Sequence, residues 1–175
     1  MSMINRYGRE RGSLQDDEYF TEIGRRFIAQ VPLAGVATAT TVDVGILPSA
    51  TKEMHASIKV RANQGVQTIS LIEAPTGVTG GSAFTPANKN RNSSAGVSAD
   101  LSVKNAVTGA TGGTTLFSKR VTGGYETDFG GAKIILKAGV QYVLRCLTGA
   151  SGSNEIDYTI DFYENAINNV DRTQG

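Results

Sequence analysis

Hydrophobic and polar residues alternate along much of this chain, and alternation sends successive side chains to opposite faces of a β-strand. In HASIKVRA, Ala56, Ile58 and Val60 fall on one face, while His55, Ser57, Lys59 and Arg61 fall on the other. VSADLSVK repeats the scheme, with Val97, Ala99, Leu101 and Val103 inward and Ser98, Asp100, Ser102 and Lys104 outward. EIDYTIDFYE does so again, burying Ile156, Tyr158, Ile160 and Phe162 and exposing Glu155, Asp157, Thr159 and Asp161. The segments RFIAQVPLA, GVATATTVDVGIL, VQTISLIEA, TTLFSKRV, AKIILKAG and VQYVLRCLTG are more continuously apolar or β-branched and also read as strands. Turn chemistry such as ANQG, PTGVTGG, GATGG and TGASGSN separates them. About eight strands with turns at roughly ten-residue intervals predict an all-β, jelly-roll-like sandwich. Its predicted core holds Ala56, Ile58, Val60, Val97, Leu101, Val103, Tyr142, Leu144, Ile156, Ile160 and Phe162.

The ends of the chain lack this alternation, which divides it into an N-terminal arm (1–25), a sandwich domain (26–164) and a C-terminal tail (165–175). In the arm, basic Arg6, Arg9 and Arg11 precede acidic Asp16, Asp17 and Glu18. Such a segment is either a disordered leader or an arm that orders against a partner. Tyr19, Phe20, Ile23, Phe27 and Ile28 suit a short helical turn or a first strand equally. A crossing of about twenty residues between Glu73 and Val97 is the longest irregular stretch, and connections of that length are usually functional or partner-bound. It contains TPANKNRNSS, which either carries the chain from one sheet to the other or touches a neighbouring subunit.

Composition narrows the function. A chain of 175 residues suits one domain with a genuine core. Its 17 Lys+Arg against 16 Asp+Glu leave a net charge of +1, far from the basic excess that phosphate neutralisation needs, so no nucleic-acid partner is expected. The first twenty residues are too polar for the apolar core of a signal peptide, and no window of about 18 apolar residues suits a membrane span. A cytoplasm-like compartment is the expectation, with no membrane partner.

The search for chemistry mostly finds none. His55, the single histidine, sits on the polar face of a strand with no Ser, Cys or Asp in a triad motif, and reads as a surface residue. Cys146 alternates with Val140, Tyr142 and Leu144 on an inward face and reads as inert; no CxxC or Cys/His cluster suggests zinc. Asp157 and Asp161 share a strand face about 13 Å apart, too far for a retaining glycosidase pair. Lys59, Arg61 or Arg145 are their expected cross-strand partners. GATGGTTLFSKR lacks the Lys-Ser/Thr of a phosphate loop, and Glu126 and Asp128 lack the ligand density of a calcium loop. No enzyme and no cofactor is the expectation.

The run from Val66 to Glu164 resembles the jelly-roll cement or decoration proteins of tailed bacteriophages. The residues that carry the resemblance are the strand ending in Glu-Ala-Pro-Thr, the TPANKNRNSS loop, and the AKIILKAGVQYVLRC strand pair closing on Phe162, Tyr163 and Glu164. The resemblance implies a viral structural protein on the capsid exterior, made in the host cytoplasm, that clamps neighbouring subunits of the major capsid protein as a homodimer or homotrimer. Partner contacts are then expected from Arg6, Arg9, Arg11, Asp16 and Asp17 in the arm and from Asn88, Asn90, Arg91 and Asn92 in the loop. Arg91 would be the main ion-pair donor, because a guanidinium can grip a carboxylate bidentately. A tail or attachment module binding carbohydrate or a receptor is the alternative, although a chain without Trp is poorly supplied with sugar-stacking platforms.

Overall fold

The computed structural model describes residues 16–63, 65–124, 126–149 and 154–166, and among them the chain forms one short helix and eleven strands. Helix α1 spans Asp16–Glu22. The strands are β1 (Arg26–Val36), β2 (Thr41–Leu47), β3 (Lys52–Ala62), β4 (Val66–Glu73), β5 (Thr79–Phe84), β6 (Ala87–Asn88), β7 (Ser102–Thr108), β8 (Thr114–Thr122), β9 (Glu126–Leu136), β10 (Tyr142–Leu147) and β11 (Asn154–Ala166). They make two sheets, A in the order β6-β1-β11-β3-β9 and B in the order β5-β7-β2-β10-β4-β8. With β5–β7 set aside, β1-β11-β3-β9 packs on β2-β10-β4-β8, and the chain changes sheet at each step from β1 to β4 and from β8 to β11. This is the double-sheet winding of an eight-stranded jelly roll. The β5–β7 segment is an insertion that adds two strands to sheet B and a two-residue strand to sheet A.

Period-two patterning orients each sheet. Strand β11 pairs with β1 from Arg26↔Tyr163 to Leu33↔Ile156 and with β3 from Ile156↔Ala62 to Ala166↔Lys52. Its Ile156, Tyr158, Ile160 and Phe162 are buried, as predicted, against Val44, Ile46, Ile69, Leu71, Tyr142 and Leu144 of sheet B. Each such side chain contributes about 1.5–3 kcal/mol on burial, which makes a one-residue slip of register prohibitive. A buried polar chain links the layers: the Cys146 thiol donates to Gln67 Oε1, Gln67 Nε2 to Asn154 Oδ1, and Asn154 Nδ2 to the Val36 carbonyl, each at 3.2 Å. Burial pushes the Cys146 thiol up to about 12, so it stays protonated at neutral pH.

The structure corrects several expectations. Residues 97–101 are not strand: β7 begins at Ser102, Val97 is half-buried and Ala99 is exposed. The reason is local hydrogen bonding. Asp100 Oδ2 accepts from the Ala50 amide at 2.7 Å, the Ser98 amide donates to Glu164 at 2.8 Å, and Leu101 N–H returns to the Ser98 carbonyl. Leu101 and Val103 are nevertheless buried. The crossing from Glu73 to Val97 is not irregular, since it holds β5 and β6. Strand β5, TGGSAF, has no apolar alternation to betray it; it pairs with β7 from Thr79↔Thr108 to Phe84↔Val103, and its Gly80 and Gly81 are both at positive φ.

Candidate interaction surface

Alternation places Tyr163 on the outer face of sheet A, opposite His55 on β3, yet both are shielded. Helix α1 lies over them. The Phe20 ring stacks on Tyr163 at a centroid distance of 4.0 Å and an interplanar angle of 11°, and Tyr163 stacks in turn on His55 at 4.7 Å. The Tyr163 hydroxyl meets His55 Nδ1 at 3.2 Å. His55 is therefore a buttress beneath α1 and not the surface residue its strand position suggests. Lys133 Nζ lies 5.4 Å from the Tyr163 ring centre, within cation–π range.

The asparagine loop holds the other end of α1. A helix leaves its last carbonyls without partners inside the helix. Asn90 Nδ2 donates to the Glu22 carbonyl at 3.0 Å, and Asn88 Nδ2 donates at 2.8 Å both to the Gly24 carbonyl and to that of Ala95. Asn88 Oδ1 accepts from the Asn90 amide and Asn90 Oδ1 from the Asn92 amide, at 2.9 and 3.0 Å, which makes two successive Asx turns. Gly24 is required where it stands. Its φ is 71°, and a Cβ there would strike the Ser93 side chain. Two segments far apart in sequence thus form one unit.

Below them lies a charge node. Arg26 donates to Asp161 through Nε at 2.8 Å and Nη2 at 2.9 Å, and Lys89 Nζ reaches the same carboxylate at 2.8 Å. Burial by itself raises the Asp161 pKa, but the hydrogen bonds from Arg26 and Lys89 outweigh it and hold the carboxyl below its ordinary value. Asp161 is thus half-buried rather than exposed, and its partners are not those expected. Arg145 belongs to sheet B, where it grips Asp43 bidentately at 2.9 and 2.7 Å.

The sequence-predicted contact residues divide into three sets. Arg6, Arg9 and Arg11 lie outside the described residues. Asp16 and Asp17 are the first residues of α1. In the loop, Asn88 and Asn90 bond within the chain, whereas Arg91 and Asn92 are exposed. Sequence reasoning missed Phe20, Arg26, Lys89 and Tyr163 as parts of this surface. The signal was present for Lys89, which sits inside the quoted loop, but nothing local places it beside Asp161. Glu126 and Asp128 lie in strand β9, with Asp128 4.0 Å from Lys59, and no metal-capable group of three side chains occurs among the described residues. On the far half of the same sheet face, Gln30, Pro32, Lys59, Arg61, Asp157 and Thr159 line an open concavity of about 380 Å³.

No known protein-family model matches this chain. No curated protein matches it either. Among solved structures, the subviral particle of infectious bursal disease virus VP2 aligns with it at 9% identity over 80% of this chain and 41% of that one, with a TM-score of 0.19. A likeness of that size carries no argument, and the fold assignment rests on the strand order.

Proposed function

We propose that the protein is a non-enzymatic virion component, a decoration protein that binds the outside of a tailed-phage head and clamps adjacent subunits of the major capsid protein. One observation carries this reading: the arm's helix and the asparagine loop are joined on the outer face of sheet A. In sequence, α1 follows directly on the segment bearing Arg6, Arg9 and Arg11, and its far end is held by the loop in which Arg91 and Asn92 are exposed. Basic groups from two segments then serve one surface, suited to carboxylates on a capsid shell. A rigid sandwich presenting such a surface, repeated by a closed symmetric oligomer, can span several capsid subunits.

The test is cosedimentation with heads stripped of the protein. Wild-type protein should bind saturably, and added salt should weaken it. Removal of residues 1–15 should weaken binding at least about tenfold. The cut must fall before Asp16, because a longer deletion also removes Phe20 from Tyr163. Arg91→Glu should weaken binding without changing the melting temperature. Light scattering should report an oligomer. A second reading, an attachment module for hydroxylated ligands, draws on the polar concavity of Gln30, Arg61, Asp157 and Thr159. Binding to host cells with none to stripped heads would decide for it.

A further inference from the structure

We propose that the outer edge of β8 accepts an extended acidic peptide segment of a partner protein as an added strand. This stands independently of the capsid reading, since β8 is the last strand of sheet B and takes no part in the α1 surface. Sheet edges present unpaired N–H and C=O groups, and folds usually blunt them. Three edges here are blunted. Strand β6 has two residues, β5 carries Gly80 and Gly81 at positive φ, and β9 breaks register against β3 between Ala56 and Ile58. Strand β8 breaks register once, between Leu71 and Ile72 of its partner, and from Phe117 to Thr122 pairs without interruption.

That six-residue run, FSKRVT, contains no Pro or Gly to interfere with a new ladder. Every residue from Thr114 to Arg120 is exposed, including Leu116 at 38% and Phe117 at 41%. Lys119 and Arg120 are neighbours on opposite faces, and neither forms an ion pair among the described residues. A second copy of β8 set with Lys119 opposite Arg120 brings both basic pairs together, which disfavours that register. An acidic strand fits: two adjacent carboxylates would meet Lys119 and Arg120, one on each face, with apolar residues opposite Phe117 and Val121. Main-chain bonds would give affinity and the side chains selectivity, as in other strand additions.

The probe is the capped hexapeptide TVEETV, which sets Glu-Glu against Lys119 and Arg120 in antiparallel register, with TVKKTV as its control. Amide shifts and exchange are read by NMR on the full chain. TVEETV should shift and protect the β8 amides, and TVKKTV should bind at least about tenfold more weakly. The double variant K119E/R120E should reverse this preference. Both side chains are exposed, so its melting temperature should match the wild type. Equal binding of the two peptides, unchanged preference in the variant, or shifts away from β8 would overturn the proposal. So would β8 protection that rises with protein concentration in the absence of peptide, which would assign the edge to a second copy.

Discussion

Asp161 shows how one carboxylate ties β1, the loop and β11 together through Arg26 and Lys89. Its pairing was legible in the sequence, but its partners were not, because Arg26 and Lys89 arrive from positions that only the β6–β1–β11 order brings near. Within the chain, bidentate grips on carboxylates are made by Arg26 and Arg145, on strands whose registers hold their guanidinium planes in place. Asp161→Asn should cost ~1.5–3 kcal/mol at neutral pH, as for hydrogen bonds to a charged group. The sign of the pH dependence follows from the lowered native pKa. The stabilisation is complete above the unfolded carboxyl value of about 3.9 and is lost as pH falls through the lower native value. Urea titrations should therefore show the gap between wild type and Asp161→Asn closing in acid, and a gap independent of pH would remove the charge from the explanation.

At the scale of elements, α1 is the one the sequence left open between helix and strand. Seven residues are too few to form a stable helix alone, where about 12–15 are needed, so contact with Tyr163 and caps from the loop decide the matter. Neither is a local signal. Strand β5 was illegible for the opposite reason, since its glycines erase the apolar alternation by which β3 and β11 could be read. Phe20→Ala removes the ring stack on Tyr163, an interaction worth ~0.5–1.5 kcal/mol beyond its buried area. Hydrogen exchange in α1 should rise while β11 keeps its protection, because local opening need not involve the core. Asn88→Ala should have a similar local effect, as it leaves the Gly24 and Ala95 carbonyls without their shared donor. If either variant instead loosens the whole molecule, α1 and the loop are part of the cooperative core.

The molecule as a whole is organised by the pairing of its first strand with its last. Period-two burial revealed that a sandwich would form and which faces would turn inward: of the predicted core residues all but Val97 are buried. It could not reveal strand order, since alternation is the same whichever neighbour a strand takes, nor the β5–β7 insertion. That order makes β11 central, flanked by β1 and β3, with Ile160 completely buried between the layers. Ile160→Ala should cost ~2–5 kcal/mol, and Leu101→Ala, at the rim of the core, should fall nearer the lower end. The loss should appear as one cooperative transition for both sheets, followed by circular dichroism because the chain has no Trp. Joining residue 26 to residue 163 before either gains its neighbours is entropically costly, so refolding should be slow, on the millisecond-to-second scale of non-local β topologies. An Ile160→Ala protein that melts in two separated steps would mean that the sheets are stable apart, and that β11 does not close the fold.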